Sequence, residues 1–245
     1  MLRVLTECSN AVCFGLQSIN QMTKDSEEYL LSEDGFHSYG PYGPKLKLEQ
    51  KKEIARNWLL NKGFEDLVRA ATNPMISLGV IVDFKKRLKI KSNKMTLEEL
   101  KQMIVDPDIN NRSSKHTLSQ LLEKVSPFLK NELSFFKYIS SMQEIRNLLV
   151  HRNGKVTQLD IKEDEHVTLK WVRPKGLFIS SDNNTVIELE NDANVKGPGS
   201  FGITFEETTR QFSLNQPINI SFKEFSEMIY TVNLFGQDLI EKFHI

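Results

Sequence analysis

The residues best equipped for chemistry stand together in the run Glu144-Ile145-Arg146-Asn147-Leu148-Leu149-Val150-His151-Arg152-Asn153-Gly154. An imidazole with an ordinary pKa of about 6.5 takes and gives protons around neutrality, which suits His151 to general acid–base work. A guanidinium stays protonated and offers a planar fork of donors, which suits Arg146 to an anionic group. On a regular helix five residues turn through about 500°, so Arg146 and His151 point about 140° apart. Asn147 and His151, four apart, share a face, which places the Asn147 amide to orient the imidazole. The same residues have a second use. A His and an Arg at a helix C-terminus stabilise the dipole and bond the last carbonyls without any catalysis.

Positioning these groups falls to the helix that carries them. Phe135, Tyr138, Met142, Ile145 and Leu149 recur at steps of three and four, which predicts one amphipathic helix over residues 127–151, ended by Asn153-Gly154. Upstream, the spacing predicts a helix over residues 2–22, a turn-rich loop at SEDGFHSYGPYGP, and a helix over 46–72 with a kink at Lys62-Gly63. Pro74 is expected to open a further helix after Thr72-Asn73, and Thr96 with Glu99 forms a capping box for a short helix over 97–104. Residues 117–126 give another helical piece. After Gly154 the texture turns β-branched in KVTQLDI, HVTLKWV, TVIELE and PINIS, separated by DNN, KGPGS and similar turns, so residues 155–220 read as a β-rich insertion. Ser221 and Glu224 then cap a last helix over 222–243, with Phe222, Phe225, Met228, Ile229, Val232, Leu239 and Phe243 on its stripe. The expected fold is mainly α: one domain over residues 1–245, a helical bundle with a small β-rich insertion before the last helix.

At the end of such a helix, the Arg-Asn-x-x-x-His pattern resembles the R-x(4–6)-H signature of the HEPN superfamily. The Asn after Arg, the apolar triplet and the His-x-Asn-Gly tail at the end of an amphipathic helix all contribute to the resemblance. Members are helical bundles, and many are metal-independent endoribonucleases of toxin–antitoxin, abortive-infection and CRISPR-associated systems, with the motif at a homodimer interface. The resemblance implies a toxin or anti-phage defence effector that cleaves RNA, with Arg146, His151 and Asn147 in the site. RNA supplies its own nucleophile, the 2′-OH. His151 would move protons, Arg146 would neutralise the phosphorane-like charge, and a 2′,3′-cyclic phosphate and a 5′-hydroxyl would result. The alternative within the same resemblance is a non-catalytic dimeric module that binds RNA, a nucleotide or a protein partner. The β-rich insertion departs from the minimal bundle.

Charge constrains the RNA reading. The 245 residues carry 32 basic and 32 acidic side chains, so no whole-molecule field draws in a polyanion. The balance is uneven along the chain: residues 1–154 hold 23 basic and 18 acidic groups, residues 155–245 only 9 against 14. The densest cluster, Lys85, Lys86, Arg87, Lys89, Lys91 and Lys94, either tracks a phosphate backbone or is a solvated helix end favoured by the macrodipole. Arg152 joins Lys85, Lys86 and Arg87 as a candidate RNA contact.

The remaining candidates point to ordinary structure. His116 in NNRSSKH is expected to be exposed, His166 lacks a second ligand at metal spacing, His37 and His244 stand alone, and Glu65 and Asp66 suit a solvated helix face. Glu144 has the reach to bond Arg146 or Arg152. Neither a metal site nor a cofactor is expected, and the motifs of nucleotide-driven enzymes and serine hydrolases are missing. Cys8 and Cys13 fit small buried residues in a reducing compartment. No continuous apolar run reaches the length of a membrane span, so a cytoplasmic protein without membrane contact is expected. Its expected partners are RNA, a second copy of itself, and an antitoxin or other protein.

Overall fold

Phe64, Leu67, Ala71 and Met75 recur at steps of four and three, and all four lie fully buried along a single helix. The computed structural model describes residues 2–23, 47–90, 116–161, 165–182, 185–189 and 197–244. The predicted loop at SEDGFHSYGPYGP and the predicted helix over 97–104 lie outside these residues. Helix α1 (Leu2–Gln21) packs on α2 (Leu48–Ile90), which also meets α3 (Leu118–Val125), α4 (Phe136–His151) and α5 (Phe222–Lys242). The protein is mainly α, with a small antiparallel sheet ahead of α5.

One expectation for α2 is corrected. The helix does not stop before Pro74 but runs through it. Proline removes one N–H from the ladder, yet Ala70, Ala71 and Met75 beside it are buried, and packing of that face carries the helix across. The helix is also continuous through Gly63. A Cβ at Gly63 would stand 2.5 Å from Val12 Cγ2 and 3.2 Å from Phe225 Cε2, so the glycine is where α1 and α5 press closest to α2. By length and composition alone, Leu48–Lys86 is long and apolar enough to cross a membrane, although charged residues interrupt its apolar run. In the fold its buried stripe serves the helical core.

The helix carrying the chemical residues is shorter than its stripe suggests. It starts at Phe136, and the stretch before it holds a single 3-10 turn, Ser126–Phe128. Pairing with the chain end supplies the reason. The Lys130 N–H donates to the Lys242 carbonyl, the His244 N–H to the Phe128 carbonyl, and Leu129 bridges Phe243. Those backbone groups are satisfied outside a helix, so the helix forms only beyond them. From Phe136 on, the stripe holds: Tyr138, Met142 and Ile145 are buried, and Leu149 packs at the edge of the core.

The sheet has the order β2-β1-β3, built from β1 (His166–Ser180), β2 (Val186–Leu189) and β3 (Gly199–Ser213). β1 pairs with β3 along its whole length, Lys170 opposite Thr209, but with β2 only from Gly176 to Ile179. HVTLKWV and TVIELE thus form strands as expected, whereas KVTQLDI and PINIS contribute one isolated bridge, Lys155 to Pro217. β3 begins inside the expected turn KGPGS and had no strand signal of its own, since its run through Glu206, Glu207 and Thr208 is polar. One half of the sheet joins the core through Val167, Leu169, Trp171 and Phe212. The far half leaves Phe201 and Ile203 exposed.

α5 opens with the expected capping box, Ser221 and Glu224 bonding each other's backbone N–H. Phe225, Met228, Val232 and Leu239 are core residues, but Phe222 at the first helical position is exposed beside Leu16 and Ile220. Cys8 and Cys13 are half-buried free thiols. The Cys8 thiol donates to the Gly63 carbonyl at 3.4 Å, and burial, helped by the charge of Asp66, pushes it up to about 11.

Candidate functional site

The end of α4 is closed by backbone geometry that sets where His151 sits. Asn153 (φ 52°) and Gly154 (φ 68°) both take the left-handed conformation, and the N–H groups of Arg152 and Gly154 converge on the Leu148 carbonyl at 3.0 and 3.1 Å. A residue with a Cβ at Gly154 would be strained by that φ and would meet Leu149 Cδ2 at 3.4 Å. His151 is therefore the last helical residue, and its side chain is exposed.

Arg146 and Asn147, one turn earlier, line a cavity of about 410 Å³. α2 contributes Arg69, Thr72, Asn73 and Ile76 to its walls, the start of α3 contributes His116, Thr117, Leu118 and Leu121, and α4 adds Gln143. None of these wall residues is acidic. The Asn147 Oδ1 accepts from Gln143 Nε2 at 3.0 Å and from Arg146 Nη1 at 3.4 Å. The amide is thus held toward the start of α4, and among the described residues no hydrogen bond joins it to His151. His151 stands about 6 Å further along the helix axis than Asn147 and is not a wall of the cavity.

The imidazole that does share a cavity with Arg146 is His116, which the sequence reading set aside as a polar loop residue. It is half-buried. Thr117 caps α3 through a box with Gln120, so His116 directly precedes an ordered helix start. No local pattern signalled this, because a capping box fixes where the helix starts and not what the side chain before it faces. Arg69 was missed for a like reason: one cation on a long amphipathic helix carries no distinguishing pattern.

The other candidates are dispersed. Arg152 Nε lies 3.8 Å from Asp160 Oδ1, and Asp160 also accepts from the Thr157 N–H and hydroxyl. Lys85 sits 5.1 Å above the Phe128 ring, Lys86 is exposed, and the Arg87 side chain lies outside the described residues. Lys86 is about 15 Å beyond Ile76 along α2, so this basic group is separate from the cavity. Glu65 and Asp66 pair with Lys62; Asp66 keeps the solvated position expected, whereas the Glu65 side chain is largely covered. Glu144 is exposed and, among the described residues, bonds neither Arg146 nor Arg152. His166 meets Gln211 across the sheet at 2.7 Å. Among the described residues no three His, Cys, Asp or Glu side chains cluster as metal ligands.

The start of α4 is tied to the sheet by a charged cluster. The Tyr138 hydroxyl donates to Glu207 Oε2 at 2.8 Å, and Lys137 reaches the same oxygen. Hydrogen bonds from Lys137 first and Tyr138 second hold the Glu207 carboxyl below its ordinary value, while burial first and the Glu207 bond second raise the Tyr138 phenol. Both ends of α4 are therefore anchored, one by this cluster and the other by the left-handed closure. The chain matches no protein-family model, no curated protein and no solved structure.

Proposed function

We propose that this chain is a HEPN-like, metal-independent endoribonuclease, acting in the cytoplasm as a homodimer and serving as a toxin or anti-phage defence effector. The observation that carries this reading is the arrangement along α4: Arg146 and Asn147 open into a cavity whose walls, among the described residues, hold no acidic side chain, and His151 lies solvent-accessible one turn beyond. Arg146 neutralises the charge that builds on the phosphate as the 2′-OH attacks. His151 exchanges protons with the attacking and leaving oxygens. Because the two residues point to different sides of one helix, a two-fold arrangement that brings His151 of one protomer to Arg146 of the other completes the site. The reaction draws its nucleophile from RNA, so DNA resists.

The separation of Arg146 from His151 within one chain also favours a second reading, a non-catalytic HEPN-like module that binds RNA, a nucleotide or an antitoxin-like protein. One experiment separates the two. Purified protein is incubated with a mixed pool of structured and unstructured RNA in the presence of a chelator, beside the His151→Ala variant. The nuclease reading expects fragments ending in 2′,3′-cyclic phosphate from the wild type and none from the variant. Intact RNA in both, with RNA still bound, sinks it in favour of the binding module.

A further inference from the structure

We infer that the far half of the sheet is an interface between two copies of this chain, which meet through its apolar face around Ile203. This contact does not rest on the cleavage reading and uses a different surface from the one that reading asks for.

The far half is a two-faced arm. Strand register sets Phe178 opposite both Phe201 and Ile187, and Gly176 opposite Ile203; Phe205 follows two residues on, so all six share one face. None carries a charge. On the other face Arg173 pairs with Glu206, and Lys175 with Glu188 and Glu206, which suits that side to water; its exposed apolar residues are Ile179 and Val186, near the tip. The apolar face, by contrast, stands open. Phe201 is 74% exposed, Ile203 69% and Phe205 43%. Of the six, Phe178 alone is buried, its ring 5.3 Å from that of Phe201. A sheet with an apolar face is stable where another layer covers it, and a contiguous exposed patch of this kind marks an interaction surface.

Charge and area choose the occupant. In a two-fold contact each residue meets its own copy or that of a neighbour, so a charged face repels itself and an uncharged apolar one does not. Taking roughly 200 Å² for a whole phenylalanine side chain, the exposed parts of this face on two copies bury on the order of 1,000 Å² together. That is the low end for a specific interface, so a reversible dimer in the micromolar range is expected rather than an obligate one.

The arm and His151 lie at opposite ends of the molecule's α4 seam. The Tyr138 hydroxyl meets Glu207 at the base of the arm, and Ser141, one turn later, meets Lys170. α4 therefore runs toward the start of β1 while the arm extends toward its end. His151 stands about 20 Å beyond Tyr138 along α4, so a dimer through the arm does not bring the two copies of His151 together.

Sedimentation velocity of the full chain from about 1 to 100 μM reads the contact. The wild type is expected to show a concentration-dependent association step in that range. Ile203→Lys sets a charge against its own copy and is expected to weaken the step about tenfold or more, with Phe201→Lys acting likewise. Thr204→Glu lies on the ion-paired face of the same strand and is expected to leave the step unchanged. Circular dichroism checks that each variant is folded, which the exposure of Ile203 and Phe201 favours. A wild type without the step overturns the inference and leaves the face to a different protein or a lipid surface. A step untouched by Ile203→Lys, or weakened equally by Thr204→Glu, overturns it as well. A wild type that associates through Ile203 yet leaves RNA uncut removes the nuclease reading and leaves this one standing.

Discussion

The Thr231 hydroxyl on α5 accepts the backbone N–H of Val172 at 3.0 Å and donates to the carbonyl of the same residue at 3.3 Å. Two residues earlier on β1, the Ser141 hydroxyl of α4 accepts the Lys170 N–H at 2.9 Å and lies 3.2 Å from its carbonyl. Among the described residues β2 pairs with β1 only from Gly176 onward, and none of them forms a strand beside this edge of β1. Hydroxyls from two helices take the place of the missing strand, which explains two of the buried polar residues, Ser141 and Thr231. Ser141 stands five residues before Arg146, so the same bonds hold the site-bearing helix against the sheet.

Thr231→Val keeps the shape of the side chain and removes the bonding, leaving the Val172 N–H and carbonyl buried without partners. Stability is expected to fall by about 2–3 kcal/mol, against about 1 kcal/mol or less for Thr231→Ser. Urea unfolding of both variants checks this, and equal losses would refute the pairing role.

Gly63→Ala forces a Cβ to within 2.5 Å of Val12 Cγ2 and 3.2 Å of Phe225. Overpacking of this kind is expected to cost about 1–3 kcal/mol. The added variant Val12→Ala should recover part of that loss, because it opens the space the new methyl needs. Non-additive melting temperatures across the four proteins of this cycle are the measurement.

For the cleavage reading, Arg146→Lys keeps the charge and loses the fork. If Arg146 stabilises phosphate charge through two parallel bonds, the lysine variant falls well below wild type, with losses of about 10²–10³ for Arg146→Ala. A lysine variant as fast as wild type under single-turnover conditions would show that a point charge suffices.

Acid should loosen the start of α4 in a defined direction. The folded Glu207 carboxyl lies below its ordinary 4.5, so its stabilising contribution is complete above that pH and fades as pH falls through the folded value. The gap in melting temperature between wild type and Glu207→Gln is therefore expected at pH 7 and should close in acid. A gap that widened on acidification would contradict the bonding by Lys137 and Tyr138.

Cys8 should be a slow thiol. Burial and Asp66 push it up to about 11, so little thiolate exists at neutral pH. Alkylation at pH 7.5 followed by peptide mass analysis is expected to label Cys8 far more slowly than an unhindered model thiol, and rapid labelling would count against its burial beneath α2.

Much of this architecture is written in local pattern. The stripes of α1, α4 and α5, the box at Ser221 and Glu224, the closure at Asn153-Gly154 and the strand HVTLKWV all follow from spacing and from backbone preferences within a few residues. What escaped the pattern was set at long range. Burial carries α2 through Pro74, the chain end holds residues 128–130 out of α4, and β3 is ordered by pairing with β1 despite its polar run. The site divides the same way. The sequence by itself marked Arg146 and His151 as the α4 residues whose types suit anion and proton chemistry, and showed that a helix would point them apart. Only the tertiary structure decided that His116 and Arg69, 30 and 77 residues from Arg146, share its cavity while His151 lies outside. Helical geometry is short-ranged and periodic, so residue order states it directly, whereas a cavity is bounded by elements whose meeting depends on every packed face between them.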